Sequence, residues 1–537
     1  MSNWRINLIL LFICFFGIAL LGKLFFIQIL QGDYYKALAQ GLYNLEAEVS
    51  GERGEIYFQK GEPLAINMEW PLVYASPRET KEKTDTAQKL SQVLNMDESL
   101  ILGKLQKDNL YEIIKKKISK EELEAIKTLN LEGIHLGKEI GRYYPQETLA
   151  SQLVGFLDQN KQGQYGIEEY YDEILQGGGK KKGSDIVLTV DYSVQFMAEK
   201  LLADASKNLE IQSGQIVVMD PRSGKILALA NFPNFNPNQY SEIIDFDVFQ
   251  DSVTRKFFEP GSVFKPITMA GALEEQKITP QTTYVDKGVV EIGGWPIENY
   301  DNRVWGKQTM TNVLEKSINT GAVFAEKQLG NNLFLEYIEK FGILKPSGID
   351  LRENCSENTE FKKGYEINFA TAAFGQGIDM TPIQLVRAYS GIANAGKLVR
   401  PFLADKIKEG EKVTETSPEI EEESVISAKT ASQLTAMLIS VIQNVYTKSA
   451  QIPGYYVAGK TGTAQVSWSA LGMDKRGYSN ETWQSFIGFA PAFSPQFLIL
   501  IKLDNPKTKT AEYSAVPIFH DLAKYVIDYY QIPPDYE

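Results

Sequence analysis

Histidine and cysteine are scarce in this sequence. Of its 537 residues, only His135 and His520 are histidines and only Cys14 and Cys355 are cysteines. Two cysteines cannot form a zinc cluster or a disulfide framework, and two isolated histidines exclude a histidine-rich metal centre. The composition therefore argues against a redox function and against a bound metal or cofactor. If the chain is an enzyme, we expect its base to be a residue other than histidine.

The sequence also has no excess of positive charge. Its 55 Lys and Arg residues against 68 Asp and Glu residues give a net charge of −13. Such a chain repels the phosphates of nucleic acids, so no nucleic-acid partner is expected. Hydrophobic residues at 43% and charged residues at 23% are ordinary for folded, water-facing domains.

One long hydrophobic run stands at the start of the chain. Residues 6–22 carry no charge, and the apolar character resumes after Lys23 as far as Leu30. This length is enough to cross a bilayer, so we predict a cytoplasmic tail at 1–5, a single membrane anchor at 6–30 and an extracytoplasmic body. The alternative is a cleaved signal peptide, for which Ala37-Leu38-Ala39 offers a small-residue cleavage site.

A glycine- and lysine-rich stretch at 177–183 marks the main domain boundary, giving predicted domains at 31–183 and 184–537. In the first domain, residues 79–130 are predicted to form charged helices, with the basic run 115–117 on a solvated helix face. The second domain combines predicted strands with helices, which indicates a layered α/β (α+β) fold. Its strands are predicted at 215–219, 225–230, 455–467, 484–490 and 496–503, and its helices at 192–209, 262–275, 309–330, 333–341, 381–395, 429–446 and 516–530.

The stretch Glu259-Pro-Gly-Ser262-Val-Phe-Lys265 contains the only Ser-x-x-Lys in the chain. Pro260 and Gly261 end the preceding segment, so Ser262 is predicted in the first turn of a helix, and a spacing of three puts Lys265 on the same face. A serine placed there has an amine and the positive end of a helix dipole beside it. Taken alone, the pattern also fits a helix cap followed by a surface lysine.

A second candidate is Lys460-Thr461-Gly462-Thr463, within a strand-like run. Gly462 would let a ligand approach the backbone at a sheet edge. The stretch from Gly454 to Thr461 also satisfies a phosphate-loop pattern formally. However, its variable positions are Tyr, Tyr, Val and Ala and a strand pattern follows, which disfavours that reading.

The third candidate is Ser317-Ile318-Asn319, predicted as a loop between helical stretches. Serine and asparagine are common in turns, so this motif alone carries little information. The order of the three motifs carries more: Ser-x-x-Lys, Ser-x-Asn and Lys-Thr-Gly follow one another as they do in β-lactamases and penicillin-binding proteins. Such a site transfers acyl groups without histidine.

The whole chain resembles a class B (monofunctional) penicillin-binding protein, a peptidoglycan D,D-transpeptidase. The stretch Asn231–Asn238 is most similar to division-type members. Two departures are that Tyr57-Phe58-Gln59-Lys60 stands where many relatives have an Asp-Arg-Asn-like turn, and that Ile318 replaces a frequent serine. The other stretches that carry the resemblance are Arg53–Ile56, Arg142–Pro145, Gly163–Glu168, Leu188–Asp191, Asp220–Gly224, Gly375–Gly377 and Ser485–Pro491.

The resemblance implies a transpeptidase fold with an antiparallel sheet flanked by helices, preceded by an α+β pedestal of the dimerisation type. It implies that Ser262 attacks a D-Ala-D-Ala stem peptide, with Lys265 as the base. Ser317 would relay a proton and Asn319 would orient Lys265 and the substrate. The substrate carboxylate would be held by Lys460, Thr461 and Thr463, and Gly462 would be a further substrate-binding residue.

β-Lactams would acylate the same serine. The implied partners are a membrane-embedded glycan polymerase and other division or elongation proteins, bound through the pedestal and the anchor. The same three motifs also serve D,D-carboxypeptidases and β-lactamases, so a serine hydrolase is one alternative. A non-enzymatic β-lactam-binding scaffold is the other.

Overall fold

The computed structural model describes residues 4–26, 52–178, 181–443 and 447–536. Contacts between residues divide the chain into two compact units, each assembled from separated segments. The predicted domain boundary at 183 remains a prediction. The smaller unit consists of Met1–Arg53, Ile66–Tyr143 and Gln176–Gly183, and the larger of Gly54–Ala65, Tyr144–Leu175 and Ser184–Glu537.

The chain begins with a helix at Trp4–Phe25. Large apolar side chains on it, including Leu11, Phe12 and Phe15, are exposed. Over the described residues, no helix reaches the length and hydropathy that a membrane crossing requires. The end of the predicted anchor at 27–30 and the Ala37-Leu38-Ala39 site lie outside the described residues.

The smaller unit contains an antiparallel sheet against which helices pack. The strand Pro63–Ala75 pairs with Ile134–Tyr143 from Ile66 opposite Tyr143 to Ala75 opposite Ile134. A short strand at Glu112–Lys115 pairs with the other side of Pro63–Ala75. The prediction of a helical face for 115–117 is therefore wrong, because Lys115 ends this strand, from which its ammonium reaches Glu122 at 2.6 Å. Besides Trp4–Phe25, the helices of this unit are Lys83–Leu94, Glu98–Leu105 and Lys120–Leu129.

The larger unit is built on a five-stranded antiparallel sheet, which confirms the predicted strands. In spatial order its strands are Ala458–Ser467, Tyr478–Ala490, Phe497–Asp504, Ser213–Met219 and Ile226–Phe232. Successive residues of a strand point to opposite faces, and every residue of 216–219 and of 498–501 is fully buried. Both faces of the sheet are therefore covered, as in the predicted layered fold.

Two groups of helices provide this cover. Tyr192–Asn208 and Ala515–Tyr530 contact each other and the sheet, and Pro382–Ala393 and Ala428–Gln443 form a second such pair. The other helices of the unit are Ser151–Val154, Gly166–Tyr170, Asp172–Gln176, Ser252–Arg255, Lys265–Glu274, Met310–Glu315, Asn319–Leu329, Asn331–Lys340 and Glu366–Ala372.

Short strands complete the unit. Ile56–Tyr57 pairs in parallel with Asp185–Leu188, which pairs in turn with Ala404–Glu409. The remaining short strands are Lys412–Glu415, the pair Thr283–Asp286 and Gly306–Thr309, the pair Val289–Ile292 and Trp295–Glu298, and the pair Phe156–Leu157 and Gly163–Gln164.

Candidate active site

Ser262 lies in a 3-10 turn, Gly261–Phe264, that leads directly into the helix Lys265–Glu274. Gly261 has a φ of +61°, and a Cβ atom on it would lie 2.9 Å from the Cβ of Ala464. Its N–H donates to the carbonyl of Gly375 at 2.9 Å. Glycine at 261 thus satisfies a left-handed backbone and lets the strand Ala458–Ser467 pack against the serine turn.

Lys265 is completely buried beneath Ser262. Its Nζ lies 3.0 Å from Ser262 Oγ, 2.9 Å from Asn319 Oδ1, 2.7 Å from the carbonyl oxygen of Ser317 and 3.2 Å from Ser317 Oγ. Burial holds the pKa of this amine well below that of an ordinary lysine, and the positive charge of Lys460 lowers the pKa further. The amine is therefore suited to accept a proton from the serine.

Ser317 lies between two helices rather than in one continuous helix. Met310–Glu315 ends just before it and Asn319–Leu329 begins just after it, and Ser317 itself has a φ of +56°. This left-handed conformation breaks the helix predicted over 309–330. The loop prediction holds for Ser317 and is wrong for Asn319, which opens the second helix.

Of the two polar side chains of this motif, Ser317 contacts both lysines and Asn319 contacts Lys265. Ser317 Oγ accepts from Lys265 at 3.2 Å and from Lys460 at 3.0 Å. Asn319 accepts from Lys265 through Oδ1 and donates through Nδ2 to the carbonyl of Glu298 at 3.0 Å. A serine hydroxyl that bridges two amines can pass a proton between them or to a third group.

Lys460 lies on the edge strand Ala458–Ser467 and is 1% exposed. Its Nζ donates to Ser317 Oγ at 3.0 Å and to the carbonyl of Thr461 at 3.1 Å. Burial lowers the pKa of Lys460 to about 8, against the opposing effect of the Glu512 carboxylate. A strand at this position is incompatible with a phosphate loop, which requires a turn leading into a helix.

The next residues of the strand form one wall of the site. A Cβ on Gly462 would lie 2.5 Å from Ser485 Oγ and 3.0 Å from the carbonyl of Pro260, so only glycine lets the strand lie this close to the serine turn. Thr461 is buried, and Thr463 Oγ1 accepts from the N–H of Ala511 at 3.2 Å. The structure therefore brings together all the residues that the three motifs singled out.

Three groups around the site were not predicted from the sequence. The hydroxyl of Tyr389 donates to the carbonyl of Val263 at 2.6 Å and fixes the serine turn from below. Glu259, directly before Pro260, is buried and accepts from Tyr478 at 3.0 Å. Glu512 follows the strand Phe497–Asp504 in the chain and acts electrostatically on Lys460. Glu259 belongs to the stretch Glu259–Lys265 that contains Ser-x-x-Lys, whereas no local pattern identifies Tyr389 or Glu512.

Chemically, the site provides the Ser262 hydroxyl as a nucleophile and the buried amine of Lys265 beside it. The ammonium of Lys460 contacts the same Ser317 hydroxyl as Lys265. No histidine is among the described contacts of the side chains at 262, 265, 317, 319 and 460. His520 contacts Asp521, and His135 stacks on Tyr74. The geometry is that of histidine-free covalent catalysis by serine.

Two known domain families match this chain. The penicillin-binding protein transpeptidase domain matches residues 214–524, and the penicillin-binding protein dimerisation domain matches residues 48–193. Stage V sporulation protein D of Bacillus subtilis is 33% identical over 94% of this chain and 83% of its own length. Peptidoglycan D,D-transpeptidase FtsI of Escherichia coli is 26% identical over 99% of this chain and 93% of its own length.

Solved structures have the same fold. The crystal structure of penicillin-binding protein 3 from Mycobacterium tuberculosis, complexed with aztreonam, has a TM-score of 0.71 and 25% identity, and the match covers 90% of this chain and 97% of that one. Penicillin-binding protein 2X from Streptococcus thermophilus has a TM-score of 0.73 and 20% identity, covering 89% of this chain and 79% of that one. With a transpeptidase domain preceded by a dimerisation domain, the chain belongs to the class B penicillin-binding proteins.

Proposed function

We propose that this chain is a serine-type peptidoglycan D,D-transpeptidase that cross-links stem peptides ending in D-Ala-D-Ala. The observation that carries the proposal is the contact between Ser262 Oγ and the completely buried amine of Lys265, at 3.0 Å. An amine whose pKa is lowered by burial can be neutral near physiological pH, and a neutral amine at this distance can act as a general base.

In the first half of the reaction, Ser262 Oγ attacks the carbonyl carbon of the penultimate D-Ala and its proton passes to Lys265. The backbone N–H groups of Ser262 and Thr463 stabilise the oxyanion, each donor contributing about 3 kcal/mol. When the C–N bond breaks, the proton held by Lys265 passes through the Ser317 hydroxyl to the leaving amine of the terminal D-Ala. The contacts of Ser317 Oγ with both lysines support this relay.

In this proposal the substrate is held along the edge strand Ala458–Ser467. Lys460, Thr461 and Thr463 bind the terminal carboxylate, and Gly462 lets the substrate backbone lie along the edge strand. Asn319 keeps Lys265 oriented toward Ser262, which its 2.9 Å contact supports. In the second half, the amine of another stem peptide attacks the acyl carbon, its proton passes through Lys265 to Ser262 Oγ, and the ester C–O bond to Ser262 breaks.

The test is intact-protein mass spectrometry of the purified chain incubated with a penicillin, sampled from seconds to hours. Because β-lactams mimic D-Ala-D-Ala, we expect a single adduct that persists for hours. Ser262→Ala should abolish the adduct, whereas Ser241→Ala, at an exposed serine, should leave it unchanged. An adduct lost within seconds would indicate a β-lactamase, and no adduct at all would indicate an inactive scaffold.

We further propose that residues 6–30 anchor the chain in the cell membrane, with the domain at 31–183 as a pedestal and the domain at 184–537 as the extracytoplasmic catalytic body. The uncharged run at 6–22 supports the anchor. We expect the chain to stay with membranes in high salt and to be released by detergent. A variant that starts at residue 52 should be released without detergent, and membrane retention of that variant would contradict the anchor.

The pedestal and the anchor would be the contact sites for a membrane-embedded glycan polymerase and for other wall-synthesis proteins. The stretch Asn231–Asn238 resembles division-type members, so we place the enzyme in division rather than elongation. In the larger unit, Asn238 from this stretch donates to the carbonyl of Tyr144 at 2.8 Å and its Oδ1 accepts from the N–H of Tyr144 at 3.0 Å. This pairing gives the motif a structural role as well.

A further inference from the structure

Two lysine side chains are buried next to each other in the active site, and the chemistry requires them to differ. Lys265 must lose its proton to act as a base, whereas Lys460 must keep its proton to bind a carboxylate. Both contact the same hydroxyl, Ser317 Oγ, and burial penalises the charged form of both. The site therefore needs a group that favours protonation of Lys460 over protonation of Lys265.

Glu512 is the acidic residue placed to do this. Of the charged groups on the elements packed against the strand Ala458–Ser467, Glu512 is the one in the described part of the chain that raises the pKa of Lys460. Lys265, in contrast, is acted on by burial and by the charge of Lys460 alone. Glu512 Oε2 is buried and has no hydrogen-bond partner among the described residues. Because no hydrogen-bond donor offsets the negative charge on this oxygen, the charge can act on Lys460.

The segment that carries Glu512 is fixed to the strands of the site. The N–H of Ala511 donates to Thr463 Oγ1 at 3.2 Å. Gln484, fully buried and paired in register with Thr463, accepts from Thr508 Oγ1 at 2.8 Å and donates to the carbonyl of Thr508 at 2.7 Å. The same Gln484 Oε1 accepts from the hydroxyl of Ser514. Glu512 is therefore held between two anchored positions.

We infer that Glu512 is a positioning residue of the active site, which keeps Lys460 protonated and so leaves Lys265 as the amine that accepts the serine proton. The inference rests on the proposed transpeptidase function. A carboxylate near one of two coupled amines favours the protonated form of the nearer one, and the pair then titrates with separated apparent pKa values. The carboxylate does this without touching the substrate.

The test is the pH dependence of the rate at which a penicillin acylates Ser262, measured on the full-length chain by mass spectrometry. Loss of the charge in Glu512→Gln lowers the pKa of Lys460 below its value of about 8, so the alkaline limb of the profile moves to lower pH. A fall of half a unit to one unit reduces the acylation rate at pH 8.5 on the order of three- to eightfold. Glu512→Asp restores the charge and should return the limb toward the wild-type position.

Glu411→Gln is the matched control, because it removes the same charge from an exposed turn and should leave the profile unchanged. An alkaline limb that does not move in Glu512→Gln overturns the inference, whether the rates are unchanged or lower at every pH, since a merely structural role slows acylation without shifting its midpoint. Failure of the wild-type chain to form an adduct at Ser262 is a different result, which overturns the proposed function itself.

Discussion

Glu259 is a buried carboxyl group at the entrance to the serine turn. It is 8% exposed, and its carboxylate accepts from the Tyr478 hydroxyl at 3.0 and 3.3 Å. Burial, together with the negative charge of the neighbouring Asp379 carboxylate, raises the pKa of Glu259 to about 7 against the hydrogen bond from Tyr478. Burial also raises the pKa of Asp379. Near neutral pH Glu259 thus exchanges a proton a few residues before the nucleophile.

This pair gives the protein a pH-dependent stability. Between the unfolded-state pKa of Glu259 and its folded-state pKa of about 7, the folded state holds a proton that the unfolded state releases. The free energy of unfolding therefore falls as pH rises through this window, on the order of 2 kcal/mol from this group. Glu259→Gln keeps the acceptor for Tyr478 and removes the titration, so we expect a flatter pH dependence and a higher stability at pH 8.

Urea unfolding of Glu259→Gln and wild type at pH 5, 6, 7 and 8 measures the effect. Some slope should remain, because Asp379 still titrates in the same direction. Glu423→Gln, at an exposed position, should leave the slope as in wild type. Equal slopes in Glu259→Gln and wild type would contradict the elevated pKa of Glu259.

At this same scale, sequence patterns identify which residues are reactive, but they do not identify the burial and the charges that surround those residues. The spacing of Ser262 and Lys265 is a local property, so the sequence predicts that the two side chains meet, and they do at 3.0 Å. The charge relation between Lys460 and Glu512 joins residues far apart in the chain, and no periodicity encodes it. Burial of Lys265 is equally non-local, because the cover over it comes from several separate segments.

At the scale of elements, the predictions succeed where a hydrophobic pattern is continuous. The strands around 216–219 and 498–501 are uninterrupted apolar runs and were identified. The helical pattern over 309–330 is also continuous, yet the structure breaks it at Ser317, whose left-handed φ leaves no trace in hydrophobic periodicity. A short strand at Glu112–Lys115 was missed because its four residues lie within a charged region.

The departure at 57–60 also has a structural consequence. Lys60 forms an ion pair with Asp191 at 3.0 Å and lies over the ring of Tyr529 at 4.4 Å. Asp191 at the same time caps the helix Tyr192–Asn208 by accepting from the N–H of Ser193 at 2.9 Å. Lys60 thus connects the turn after Ile56–Tyr57 to two helices of the larger unit, although it departs from the turn found in many relatives.

At the scale of the whole molecule, the larger unit is not a continuous stretch of chain. The segment Gly54–Ala65 contributes Ile56, which is fully buried and pairs with Ile186. The segment Tyr144–Leu175 contributes Phe156, whose ring packs on Tyr240 at 4.4 Å and on Phe249 at 4.9 Å. A boundary read from the glycine- and lysine-rich stretch cannot reveal this, since composition reports where the chain is exposed and not which segments share a core.

A fragment that begins at residue 184 should therefore fold poorly. It lacks the buried side chains of Ile56, Phe58, Leu153, Phe156 and Ile167. Each large apolar side chain contributes about 1.5 to 3 kcal/mol when buried, so their joint loss is comparable to the whole stability of a typical domain, about 5 to 15 kcal/mol. We expect the fragment 184–536 to aggregate or to lack a cooperative thermal transition.

The informative control removes a different part of the chain. Ile66 and Tyr143 lie opposite each other in antiparallel strands, so a short glycine-serine turn can replace residues 67–142 without displacing the chain on either side. Because those residues belong to the smaller unit, this deletion variant, begun at residue 52, should keep a cooperative melt and acylation of Ser262 by a penicillin. If instead the fragment 184–536 melts cooperatively within a few degrees of the 52–536 chain, the early segments do not belong to the catalytic core. A core assembled from separated segments predicts both results together: the fragment 184–536 does not fold, and the deletion variant does.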